Sequence, residues 1–304
     1  MDYEGKIAYN KEQAEQYGWN PTWFDCLYFN DDLVDAIYMY QKGRGLSADG
    51  MCGPSTYRRI YTEREEDEDE DEITLESHEK SWIIHNGQDV EIFWDKVLLW
   101  GHQGGLWASE GNYSAYSSPR TSTLFVTHWD VCLSSRSCFK VVENRGISVH
   151  FLIDNDGLIF QTLDTQHAAW HAGSRTANHR SIGVEVSDAY DTQYQSKYVA
   201  KGFGERPIWE GKQVHGRTLS PFLGFYPIQL EALAALWEAI SFAADIPLEV
   251  PTVKGVDDAV VDGSFKGFCS HYHLTERKID CAGLDHEYVK QKALQIRQKR
   301  LNQD

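Results

Sequence analysis

A few residues in this chain have both the types and the spacing to do metal chemistry. His271 stands in the run FCSHYHLTERKIDCAGLD, with Lys278 seven and Asp280 nine residues further on. A histidine and a carboxylate separated by one short loop can fold back onto the same ion. His128 closes the apolar run TLFVTH at 123–128, a strand end from which a side chain can be aimed rigidly. Catalytic zinc takes three protein ligands from His, Cys, Asp or Glu and leaves one position for water, whose pKa drops to about 7. His128, His271 and Asp280 make such a set. Residue type alone leaves rivals open, because His273 stands close to His271 and Cys281 follows Asp280, and zinc accepts either.

The elements that must hold these groups can be read from periodicity. TLFVTH is a short β-rich run of the kind that forms a buried central strand. ISVHFLI (147–153) and LIFQTL (158–163) flank the turn DNDG, a hairpin signal. SIGVEVS (181–187) is another β-branched run, so a sheet of at least four strands is expected. PIQLEALAALWEAISFAA (227–244) reads as a long helix entered through proline. Interleaved strands and helices indicate an α/β domain with a mixed central sheet flanked by helices. Residues 191–226 and 245–268 have weak periodicity and scattered Gly, Pro and aromatics, and such irregular stretches are expected to rim an active site.

Charge divides the chain before this domain. Of a formal net charge of −17, a net −9 sits in residues 63–76, EREEDEDEDEITLE. Self-repelling charge of this density cannot be buried and reads as an extended spacer. The expected organisation is therefore a helical head at 1–62, an acidic linker at 63–80 and a catalytic body at 81–304. In the head, Leu33, Ile37 and Tyr40 recur at helical spacing, followed by glycine-rich turns and a second short helix. The acidic balance argues against a nucleic-acid surface, which needs clustered Lys and Arg. No run of about 18 apolar residues suggests a membrane span, and the polar start MDYEGKIAYN does not read as a signal peptide. Synthesis in the cytoplasm, with any action outside it following release or delivery, is the expectation, and the protein is expected to be a monomer. Six cysteines in 304 residues are not a disulfide framework, although Cys132 and Cys138 are spaced to close a short loop in an oxidising compartment.

Two stretches resemble known families. Residues 25–62, carried by Tyr40-Gln41, Leu46, Asp49-Gly50, Gly53-Pro54 and Thr56, resemble the three-helix peptidoglycan-binding module found beside many cell-wall hydrolases. Residues from about 120 to 288 present FVTH, GISVHFLIDNDGLIFQ, AAWHAG, SIGVEV, LGFYPIQLEAL and SHYHLTERKID in order. That series resembles the zinc amidases that include phage lysozyme-amidases, bacterial muropeptide amidases and peptidoglycan recognition proteins. The resemblance implies cleavage of the amide between N-acetylmuramic acid and L-alanine, with Zn2+ on His128, His271 and Asp280. It also implies a catalytic carboxylate at Glu185 and a catalytic cation at Lys278. A carboxylate beside an activated water can accept its proton and pass it to the leaving amine. A lysine near the attacked carbonyl can stabilise the oxyanion.

Where some relatives carry Tyr, this chain has Val149, so His150 is expected to take over part of the substrate-facing role. Trp170 and His171 are expected to shape the substrate cleft. Others end the ligand loop in Asp-Pro-Gly, where this chain reads Asp280-Cys281-Ala282-Gly283, which keeps Cys281 and His273 as rivals. Bacterial peptidoglycan is the expected partner of both parts, as in an endolysin. The alternatives are a peptidoglycan-recognition protein that does not cut, whose signature would be a lost ligand, and a cysteine hydrolase using Cys269 or Cys281.

Overall fold

The structure is a computed structural model that describes residues 2–64 and 80–303. Most of the acidic tract anticipated as a linker at 63–80 therefore lies outside the described residues. The chain separates into two compact units. The first comprises the head together with residues 140–146, and the second comprises the rest of the body.

The head holds three helices, α1 (Tyr3–Tyr17), α2 (Asp31–Gly43) and α3 (Pro54–Arg64). Side-chain caps start the first two: Asp2 accepts the Gly5 N–H and Asn30 accepts that of Leu33, satisfying amides the helices cannot. The loop between α2 and α3 is tied down by the buried side chain of Gln41. Its Nε2 donates to Asp49 Oδ1, the Met51 carbonyl and Thr56 Oγ1, while its Oε1 accepts the N–H groups of Asp49 and Gly50. Gly50 has φ +74°, and a Cβ there would lie 2.8 Å from Val34 Cγ1, so the turn admits no side chain.

In the body the strands are β1 (Ser81–His85), β2 (Gln88–Ile92), β3 (Val97–Leu99), β4 (Tyr113–Ser114), β5 (Leu124–Trp129), β6 (Phe151–Ile153), β7 (Ile159–Gln161), β8 (Ala168–Ala169) and β9 (Ser181–Val186). They are followed by the short pieces β10 (Ile208–Trp209), β11 (Gln213–Val214), β12 (Arg217–Thr218) and β13 (Phe222–Leu223), and then by β14 (Gly267–Ser270). The helices are α4 (Ser135–Asn144), α5 (Arg175–Arg180), α6 (Gln195–Ala200), α7 (Pro227–Ala244), α8 (Asp258–Asp262) and α9 (His286–Leu301). Six strands form the main sheet in the order β14-β5-β9-β6-β7-β3, parallel except for the β6–β7 hairpin. Every residue of β5 and β9 is buried, as central strands covered on both faces require.

The hairpin turn is the anticipated one, with Gly157 at φ +83° and Asp154 N–H donating to the Leu158 carbonyl. Its strands are shorter than the apolar runs suggested. Residues 148–150 leave the ladder and use their polar groups on Asn112 and Thr162 in neighbouring loops and on Gly183 of β9.

Alternation sorts each central strand into two faces. Ile182, Val184 and Val186 join Phe125, Trp129, Phe151 and Phe268 in the principal core under α7. Ser181, Gly183 and Glu185 point the other way. On α7, the fully buried Glu238 accepts from Arg297 Nε at 2.7 Å and from the Arg300 guanidinium at 2.6 and 2.8 Å, which ties α7 to α9. The irregular stretch 191–226 contains α6 and the two small antiparallel pairs β10–β13 and β11–β12. No helix among the described residues is long and apolar enough to cross a membrane.

Candidate metal centre and active site

Three adjacent parallel strands bring the chemistry together. In the β5–β9 register His128 is paired with Glu185, so the two side chains stand abreast on one face of the sheet. On the other side of β5, Ser270 pairs with Thr127, and His271 is the next residue along. The chain then makes one helical turn and a loop that returns Asp280, held by the Tyr272 N–H donating to the Asp280 carbonyl. His128 Nδ1 lies 3.0 Å and His271 Nδ1 3.2 Å from Asp280 Oδ2. The three residues are 2, 4 and 7% exposed, and their donor atoms fall within 4.8 Å of one another.

Burial pushes the His128 pKa down to about 4, which leaves a neutral ring at neutral pH, the form that binds metals. Burial also works against the Asp280 charge, but His271 and His128 together hold its carboxyl well below the usual range. Two imidazole nitrogens and one carboxylate oxygen are a donor set that suits zinc with a fourth position left open.

The rivals point elsewhere. His273 is fully buried; its Nδ1 accepts the Ser270 N–H at 3.0 Å, and its Nε2 lies 3.1 Å from the Val253 carbonyl, so both nitrogens are occupied. Cys281 has no exposure and packs in the principal core, where burial raises its thiol well above the ordinary value.

Glu185 is 8% exposed beside His128. Lys278 is half-buried, and its carbonyl lies 2.8 Å from His215 Nε2, which pins the ligand loop to the β11–β12 turn. His171 is brought to the centre, with its Nδ1 3.0 Å from His128 Nε2. Trp170 is half-buried, and its Nε1–H donates to Ser114 Oγ across the β4–β8 pair. His150, expected to face substrate, has no exposed surface. Its Nδ1 accepts the Gly183 N–H at 3.1 Å, and its Nε2 lies 3.0 Å from the His167 carbonyl. Burial, with the Arg120 guanidinium alongside, drives its pKa well down. This geometry makes His150 a brace between strand and loop rather than a surface that meets ligand.

The profile of the N-acetylmuramoyl-L-alanine amidase family matches residues 116–281, more than half of the chain. The chain belongs to this family. No curated protein matches it. Among solved structures it is similar to the catalytic domain of XlyA, with 14% identity and a TM-score of 0.40 over 65% of this chain and 99% of that one. It is also similar to the hydrolase AmiA of Staphylococcus aureus in complex with its ligand (13%, TM-score 0.39, 66% and 83%). A third is a mutant endolysin from Bacillus subtilis (14%, TM-score 0.38, 65% and 98%).

By its family the chain is a peptidoglycan amidase, and several residues that frame its site were not singled out in the sequence. Arg120 is buried and donates to the carbonyls of Thr165, His167, His179 and Ser181, which anchors the AAWHAG loop. Asn178 Oδ1 accepts the N–H groups of His171 and Ala172. Gly183 makes room for a ring, and the signal was there to read: a glycine inside a strand marks a close approach. A second buried group is made by Asp130 and Cys132 on the loop after β5 and by Cys138 in α4. There Asp130 Oδ1 accepts the N–H groups of Cys132 and Asp188, which is a loop brace. All six cysteines are thiols in this structure.

Proposed function

We propose that this amidase hydrolyses the amide between N-acetylmuramic acid and L-alanine with zinc held by His128, His271 and Asp280. The observation that carries the proposal is the convergence of their three donor atoms beside Glu185, from positions up to 152 residues apart. Bound there, zinc would supply Lewis acidity and a water deprotonated near neutral pH. Glu185, abreast of His128 and almost buried, accepts the proton of the attacking water and later returns it to the leaving amine of L-alanine. Lys278, on the ligand loop two residues before Asp280, donates to the oxygen of the attacked carbonyl as charge develops on it. Asp280, held as a carboxylate, keeps the two histidines aligned.

The test is to measure bound metal in the purified protein and follow the release of peptide amine from purified peptidoglycan. The expected result is near one equivalent of zinc, with activity lost on chelation and restored by added zinc. Full activity after complete zinc removal would overturn the mechanism. We propose further that the head binds the same polymer, so that a second weak contact raises the local concentration of the catalytic unit on the wall. Its exposed Leu27, Tyr28 and Met39 offer apolar surface for such a contact. Deleting residues 1–75 should weaken sedimentation with cell walls and spare hydrolysis of small soluble muropeptides; unchanged sedimentation would refute the anchor.

A further inference from the structure

We infer that His171 and Ser181 form a positioning relay that fixes the tautomer and the aim of His128. This inference rests on the reading of His128 as a zinc ligand. As a zinc ligand His128 would bind through Nδ1, the nitrogen it turns towards Asp280, so the proton of its neutral ring belongs on Nε2, which points at His171 Nδ1 3.0 Å away. That nitrogen must then be bare, and the proton of His171 sits on Nε2, 3.1 Å from Ser181 Oγ. The Ser181 hydroxyl in turn donates to the Ala177 carbonyl at 2.7 Å. Each link has one proton and one acceptor, so the whole chain has a single direction, ending on a helix carbonyl that cannot reverse it.

Three further features hold the relay in place. The rings of His128 and His171 meet edge to face, with centroids 5.2 Å apart. Asn178 pins the backbone of His171. A Cβ at position 183 would stand 2.4 Å from His171 Nδ1, so the strand leaves a gap the size of the ring. Ligating histidines depend on such partners: losing one typically weakens metal binding about 10–100-fold. His171 is thereby a positioning residue; it reaches the ion only through His128.

The experiment measures zinc affinity by chelator competition on the full-length protein, alongside the melting temperature of the metal-free form. His171→Phe keeps the bulk and removes the acceptor; it should bind zinc about 10–100-fold more weakly. His171→Asn, whose amide oxygen can occupy the place of Nδ1, should recover most of that loss. Affinity of His171→Phe within about threefold of wild type would overturn the relay, since an outer partner of this kind is worth at least tenfold. A His128→Ala variant separates the two ideas. Unchanged zinc affinity in His128→Ala would overturn the ligand assignment itself. A large loss there with none in His171→Phe would overturn only the relay. Nitrogen-15 spectra of the zinc-loaded wild type provide a readout independent of variant folding. The expected pattern is protonated Nε2 and bare Nδ1 on His171, and the opposite tautomer would overturn the proposal.

Discussion

Substituting Gly183 with alanine puts one methyl group where the structure has least room for it. The added Cβ would lie 2.4, 2.5 and 2.7 Å from Nδ1, Cε1 and Cγ of His171, against ordinary contacts of about 3.5–4.0 Å. The ring must retreat by about 1 Å, which takes its 3.0 Å approach to His128 beyond hydrogen-bonding range. Overpacking a core position costs about 1–3 kcal/mol, and leaving the buried His128 N–H without its acceptor costs about 1–3 kcal/mol more. The combined loss of about 2–6 kcal/mol corresponds to a fall in Tm on the order of 5–20 °C for a domain of this size. Calorimetry of the metal-free variant measures the fall, and chelator competition should show weakened zinc binding in the same protein. Gly101 has open space around its Cβ direction and serves as the control, with Gly101→Ala expected within about 0.5 kcal/mol of wild type. A Gly183→Ala protein that melts within about 2 °C of wild type would refute the steric reasoning, because even the smallest of these costs should move Tm further.

Glu185→Gln should lower kcat by about 10²–10⁴-fold, the usual worth of a general acid–base group, while zinc affinity stays near wild type; a variant retaining a tenth of the activity would exclude the proton-transfer role. Glu238→Ala strands the buried Arg300 guanidinium and should destabilise the body by about 3–5 kcal/mol, read as a lower urea midpoint. Burial pushes the His286 pKa down to about 3, so below about pH 6.5 the unfolded chain takes up a proton that the folded form refuses. Stability on this account is full above that pH and is lost as pH falls towards 3, by about 2 kcal/mol between pH 7 and 5. His286→Gln should show a correspondingly smaller loss over the same interval, and identical pH profiles would exclude the assignment.

The main strands, the hairpin and the long helix were legible because each carries its own apolar period and punctuation. β3 and β14 were not: Val97–Leu99 is too short to show a period, and Gly267–Ser270 contains a glycine, a cysteine and a serine in four residues. His128 and His271 could be proposed from strand ends and loop spacing. Spacing to Lys278 and Asp280 favoured His271 over His273, but the occupation of the His273 ring nitrogens by the Ser270 amide and the Val253 carbonyl had no local signal. His150 misled for the same reason. Its place beside a strand says nothing of the Gly183 amide and the His167 carbonyl that enclose it. Ser181 was invisible as chemistry because its work is to contact His171, ten residues away in sequence, and no local pattern encodes that, whereas Gly183 carried only the general mark of a glycine inside a strand.

β9 is a strip with two incompatible sides. Ser181, Gly183 and Glu185 serve the polar layer, and Ile182, Val184 and Val186 serve the core. A slip of one residue in its pairing would drive the Glu185 carboxylate into hydrocarbon and expose three aliphatic side chains to the histidine layer. The misregistered chain would then lose its catalytic face and its core together. Folding and chemistry are thereby proofread by the same strand, and an inactive sheet that is otherwise well packed is not an accessible state of this sequence.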